Sequence, residues 1–252
     1  RAIDSAHGYI FSDTTDLRSS TGGAILGVSS GDVRFTAPTV SSDPSSVPTT
    51  AISIGDGAIL RTPGSILFST NGELTLGEAE LNARYLTLTS PGIHIGTAES
   101  FARADAAGVL GSGVRLSQSL LERLVTPTAP GQIAIERLTL NAGSSINMLG
   151  NVAIDLAGTD TQLMLETPAL YGWGEEGETA RIAAGTVIWS GVATGAGAPT
   201  SPYVSARPGS VMPGGSGTGH GTLTIDAERI ELGYAPYAQP QDQVELDRLA
   251  LE

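Results

Sequence analysis

The sequence predicts an all-β chain of the β-solenoid class, and three observations carry that expectation. Short stretches alternate apolar and polar residues, the alternation changes parity at corners of one to three residues, and hairpin dipeptides of the Asn-Gly kind are scarce. In residues 72–96 the inward candidates run Leu74 and Leu76, Leu81 and Ala83, Leu86 and Leu88, then Ile93 and Ile95. A corner residue inserted at each break keeps the apolar side of the next strand facing one interior.

Taken in order, residues 1–50 hold strands around a Ser/Gly turn and a Ser/Pro loop, expected to be continuous with the solenoid. Residues 51–96 read as regular layers, with Leu74 and Leu86 inward. Residues 97–131 interrupt the rhythm as an excursion. There Leu116, Leu120, Leu121 and Leu124 have helical spacing, and Ser119 with Glu122 makes a capping box. Leu120 and Leu124 are expected to pack onto the sheet. Layers resume over 132–191, with Leu138 and Ile154 inward. Residues 192–220 form a long Gly/Pro-rich loop, and 221–252 give a final layer, with Ile225 inward, and a tail.

Composition narrows the function classes. The 252 residues include 33 Gly and 14 Pro, only 15% are charged and 5% aromatic, and the formal net charge is -13. All 13 basic residues are arginine, which removes chemistry that needs a lysine. The acidic balance argues against nucleic acid as a partner. Without cysteine there is no disulfide, thiolate metal site or thiol nucleophile. Opening on Arg1 with no leader pattern, the chain reads as a piece of something larger.

Candidate chemistry is sparse. Ser29 sits in a G-x-S-x-G string, Gly27 to Gly31, but the following residues alternate as a strand where a nucleophile elbow needs a helix. The stretch from Gly214 resembles a calcium-binding repeat, yet glycine (Gly219) stands where the carboxylate should be. His7, His94 and His220 are far apart, and His94 reads as an exposed strand residue between Ile93 and Ile95. Asp155 and Asp160 with Arg181 could line an outer face as in β-helical lyases and hydrolases, although aspartate at a corner ordinarily serves the turn. Tyr171, Trp173 and Trp189 are candidates for stacking on a sugar ring, with packing as the favoured role. No residue is assigned as catalytic, metal-binding or cofactor-binding, and no cofactor is expected.

The succession of phrases from residue 50 onward resembles the C-terminal region of filamentous haemagglutinin family exoproteins. It runs through "LSQSLLERL" (116–124), "IERLTLNAGSSINMLGNVAIDL" (135–156), "LMLETPALYGWG" (163–174), "ARIAAGTVIWSG" (180–191) and "GTLTIDAERIELGYAPYAQP" (221–240), with "LDRLAL" (246–251). The resemblance implies a single-stranded right-handed parallel β-helix, a two-partner secretion transporter in an outer membrane, a cell-surface or extracellular location, and adhesion to a host or neighbouring-cell glycan or protein. Lateral self-association of such rods is a further expectation. The nearest string to Arg-Gly-Asp is Arg103-Ala104-Asp105, which departs at its middle residue. The expected function is a structural and adhesive shaft segment. The alternatives are a β-helical polysaccharide lyase or glycoside hydrolase, and the stalk of a contact-dependent toxin-delivery protein.

Overall fold

The computed structural model describes residues 16–18, 24–32, 34–36, 50–125, 132–156, 160–167, 169–190 and 222–232. These residues are mostly strand, and nearly all pairings are parallel. The elements begin with β1 (Asp16–Arg18), β2 (Ile25–Ser29), β3 (Arg34–Thr36), β4 (Ile52–Ser53), β5 (Ile59–Arg61) and β6 (Ser65–Ser69). Then come β7 (Leu74–Thr75), β8 (Glu80–Asn82) and the long β9 (Tyr85–Gly96). The middle holds α1 (Ala98–Ala106), β10 (Val114–Ser117) and α2 (Gln118–Val125). The remainder is β11 (Arg137–Leu149), β12 (Val152–Asp155), β13 (Gln162–Glu166), β14 (Leu170–Trp173), β15 (Thr179–Trp189) and β16 (Thr222–Leu232).

Three ladders of stacked strands account for most of the fold. The first joins β6, the start of β9, the start of β11, β13, the end of β15 and the end of β16. Its register passes from Ser65 to Tyr85, Arg137, Gln162, Thr186 and Arg229. The second joins β4, β7, β10, the end of β9, the end of β11 and β14. The third pairs β5 with β8, and β12 with the starts of β15 and β16.

One apolar spacing recurs where the chain turns from the third ladder into the first. Leu81, Ala83, Leu86 and Leu88 are two, three and two residues apart, as are Ile133, Ile135, Leu138 and Leu140, and Ile182, Ala184, Val187 and Trp189. Within these sets only Ile133 and Trp189 are half-buried, and the rest are buried. The extra residue at the corner flips the strand parity, so apolar side chains stay inward on both sides of the turn. Leu74, Leu86, Leu138 and Ile154 are buried as expected. Ile225 is only half-buried, because β16 is the last described strand of its ladders and has no described neighbour beyond it.

Three departures from the expectation have physical causes. First, β2 pairs antiparallel with β6, so this part of residues 1–50 does not continue the parallel layers. Second, residues 97–131 are more than an excursion. The chain leaves β9, forms α1, and returns as β10, which pairs with both β9 and β7, so Leu116 belongs to a strand. The return brings two backbones together: a Cβ on Gly113 (φ +143°) would lie 2.0 Å from the Gly92 carbonyl oxygen. Only glycine admits that approach.

Third, α1 was not anticipated, and the cap of α2 is Ser117, not Ser119. The Ser117 hydroxyl accepts from the Leu120 N–H at 3.1 Å. The packing expectation for α2 holds: Leu120, Leu121 and Leu124 are buried in the main core, and the helix lies against β8, β10 and β12. Where a strand would have paired with β12, the Gln118 side chain does so. Its Nε2 donates to the Ala153 carbonyl at 3.1 Å and its Oε1 accepts from the Ala153 N–H at 2.9 Å. The Asn82 amide makes the same two-bond bridge to Ile133, both at 3.2 Å.

Candidate functional site

The sequence candidates fall on different faces of the molecule. On the outer side of the second ladder, His94, Asn147 and Tyr171 share one register row, and Gly96, Leu149 and Trp173 another. α1 covers these rows. Ala104, Val109 and Leu149 are buried there, with Phe101, Leu110, Tyr171 and Trp173 packed around them. The helix starts at a reciprocal cap, Ser100 N–H to Thr97 Oγ1 at 3.1 Å and Thr97 N–H to Ser100 Oγ at 2.8 Å. Arg103 of α1 reaches across to Glu178 at 2.7 Å and Glu175 at 2.9 Å. Burial alone would raise the Glu178 carboxyl, but the Glu175 N–H and the Arg103 guanidinium outweigh it and hold the group below the usual range.

His94 corrects the expectation of an exposed strand residue. Its parity is outward, as read, yet it is only 1% exposed, because the excursion folds back over it. Its Nδ1 lies 3.1 Å from Asn147 Nδ2. Burial pushes the imidazole below its ordinary value, Arg115 adds to this, and the Gly111 and Ser112 backbone opposes it.

Tyr171 and Trp173 are half-buried against α1, and Trp189 is half-buried against the main core with its indole N–H donated to the Thr167 carbonyl at 2.8 Å. All three take the packing role. Their remaining exposed edges are what a ligand could touch.

Asp155 and Arg181 are brought together at 2.7 Å, and Arg181 also approaches Asp226 at 3.5 Å. Side chains 43–73% exposed make this a solvated ladder of charges, and such pairs stabilise little. Asp160 is exposed and is not part of it. Ser29 is buried within β2, with its Oγ accepting from the Gly31 N–H at 3.1 Å, and a strand follows it. His7, His220 and the glycine string from Gly214 lie outside the described residues.

Two features escaped the sequence reading. A polar groove where β10 enters is lined by Asp56, Glu73, Glu78, Phe101, Arg115 and Ser117. Its lining cation Arg115 is matched by Asp105, and its lining acid Glu78 by Arg123 from outside the groove, each at 2.7 Å. The second is Glu166, 3% exposed, whose Oε2 accepts from Asn141 Nδ2 at 2.6 Å while Oε1 has no partner. Burial pushes its carboxyl up to about 7, against the opposing pull of Asn141 and Arg137. It lies between Asn141 and the level of Ser190 on the first ladder, whose N–H bonds the Leu165 carbonyl.

Among the described residues no group of three or more His, Asp or Glu converges to hold a metal ion, and no helix is long and apolar enough to cross a membrane. Comparison with protein-family models, with curated proteins and with solved structures finds no match for this chain.

Proposed function

We propose that the three ladders are the faces of a single-stranded right-handed parallel β-helix, and that the chain is a shaft segment of a secreted bacterial surface exoprotein of the filamentous haemagglutinin kind. The observation that supports this most is the parallel register across β11, β13 and β15, which steps 25 and then 24 residues from Arg137 to Gln162 to Thr186. A repeated step around one apolar interior is the economy of a rod: each layer contacts only its neighbours, and length is gained by adding layers. Adhesion would be carried by the departures from the rod, 97–131 and the loop 192–220, and its target is a glycan or protein on a host or neighbouring cell. Export through an outer-membrane two-partner transporter, and a place at the cell surface, belong to the same reading.

The test has two arms. The chain, displayed on beads, should bind cells or arrayed glycans, and deletion of 195–217 should weaken binding without changing the circular dichroism of the rod. Incubation with pectate, alginate and heparin should release no unsaturated ends. Turnover that disappears in Asp155→Ala would replace the adhesive reading with the enzymatic one.

A further inference from the structure

Three polar side chains form a buried chain along the second ladder. Ser145, Asn147 and His94 are 0–1% exposed. Ser145 Oγ donates to Asn147 Oδ1 at 3.0 Å, so the amide turns its Nδ2 toward His94 Nδ1, 3.1 Å away. The imidazole therefore accepts at Nδ1 and carries its proton on Nε2. Nε2 faces the Gly111 and Ser112 backbone without a close hydrogen bond. A Cβ on Gly92 would lie 2.9 Å from the Ser112 carbonyl oxygen and 3.5 Å from His94 Nε2. The turn 107–113, between α1 and β10, thus rests on the ring.

Only the neutral ring suits this setting. A second proton would sit on Nδ1 and point at the Asn147 amide hydrogens, replacing a hydrogen bond by two opposed donors. The charge would also be buried in register with Arg115 of β10. Other groups offer little relief. Asp105 of α1 is held by Arg115 through both carboxylate oxygens, at 2.7 and 2.9 Å. Arg103 of α1 is committed to Glu175 and Glu178, and Glu99 is exposed in the first turn of the helix. β11 brings neutral Asn147, β14 brings only the Tyr171 phenol beyond it in the row, and the turn 107–113 has no titratable side chain. An imidazolium here needs water, and lifting the turn admits it.

We propose that His94 is a proton-operated latch on the cover formed by α1 and the turn 107–113: the neutral ring holds the cover down, and protonation lifts it from Leu149, Tyr171 and Trp173. The sign follows from burial, which holds the ring below its ordinary 6.5. What neutral His94 contributes is full above 6.5 and is lost as pH falls from there through the lowered value. The latch stands on this geometry alone and holds whether or not the rod is adhesive.

Hydrogen exchange of the full chain, measured against the intrinsic rate at each pH, tests it. Protection of amides at 99–113 should fall about tenfold between about pH 7 and pH 5, while that at 137–141 does not fall. Glu178 stays ionised over this range and Glu166 strengthens the ladder as pH falls, so neither produces the loss. His94→Asn, which keeps an acceptor for Asn147 and cannot titrate, should abolish the fall. Arg115→Gln keeps the ring, removes the cation beside it and frees Asp105, so the fall should shrink. Unchanged protection in the parent chain would mean that Asn147 turns over to accept from the imidazolium under a closed cover, and overturns the proposal. An equal fall in His94→Asn, or an undiminished one in Arg115→Gln, overturns it as well.

Discussion

The two helices of residues 98–125 differ in what they replace. α2 stands in the ladder: its leucines join the main core, and Gln118 gives β12 the hydrogen bonds of a missing strand. α1 stands outside: it roofs the second ladder, makes a small core of its own, and is tied down by the exposed and half-buried charges of Arg103, Glu175 and Glu178. A helix can therefore enter a parallel stack in two ways, by satisfying the edge of the stack or by covering its outer face. The first makes the helix part of the global unfolding unit, and the second leaves it a local one.

The comparison breaks most readily at Leu121. Leu121→Ala should cost about 2–5 kcal/mol in urea unfolding, because a 1%-exposed side chain leaves a cavity that stacked strands cannot collapse. The same change at half-buried Leu110, under α1, should cost about 1 kcal/mol. Equal losses would mean that both helices belong to one core.

pH should move the two regions in opposite directions. The Glu166 carboxyl, on the ladder, has a folded pKa raised to about 7 from 4.5. The native state therefore holds its proton more tightly, and the stability it adds is full below about pH 4.5 and is lost as pH rises through 7. The difference is about 3 kcal/mol. Comparing the chain with Glu166→Gln across pH 4–8 isolates it: the variant should lack that fall. Glu178, beneath α1, is held below the usual range, so its contribution is present above that range and lost as pH falls through it. Protection of α1 amides, measured against the intrinsic exchange rate at each pH, should thus fall in acid, where the Glu166 contribution to the ladder is full.

A smaller effect is expected at the amide bridge. Gln118→Ala removes both bonds to Ala153 and should cost about 1–2 kcal/mol, and Gln118→Glu, which keeps only the acceptor, should recover part of it. The smallest is Thr97→Ala, about 1 kcal/mol from the lost cap. It should appear as faster exchange within 98–106 and leave the urea midpoint of the ladder almost unchanged.

Much of the ladder was legible because its inward rows obey a period of two, broken by a fixed corner. Leu81, Ala83, Leu86 and Leu88 can be read as one turned strand from their spacing alone. The outer roof was not legible. α1 covers its strands with Ser100, Ala104 and Phe101, so it lacks the leucine stripe that revealed α2. Its only local signal was Thr97 followed three residues later by Ser100. For the same reason the parity of His94 was right and its exposure wrong, since parity tells which side of a strand a residue takes and nothing of what folds over that side. β2 was missed as an antiparallel partner because alternation carries no strand direction.

The insertion also bears on how the chain finds its fold. Tyr85 and Arg137 pair across 52 residues, whereas Arg137 and Gln162 pair across 25. One doubling of loop length adds only about 0.6 kcal/mol of closure entropy, so the finished molecule hardly registers the detour. Kinetically the detour is a seam. The strands from β11 to β15 can zip among themselves on short loops, and so can those from β4 to β9, before β9 and β11 meet. The 85/137 pairing is then the late event that joins two preformed stacks, and α1, β10 and α2 must already be folded out of the way for it to close.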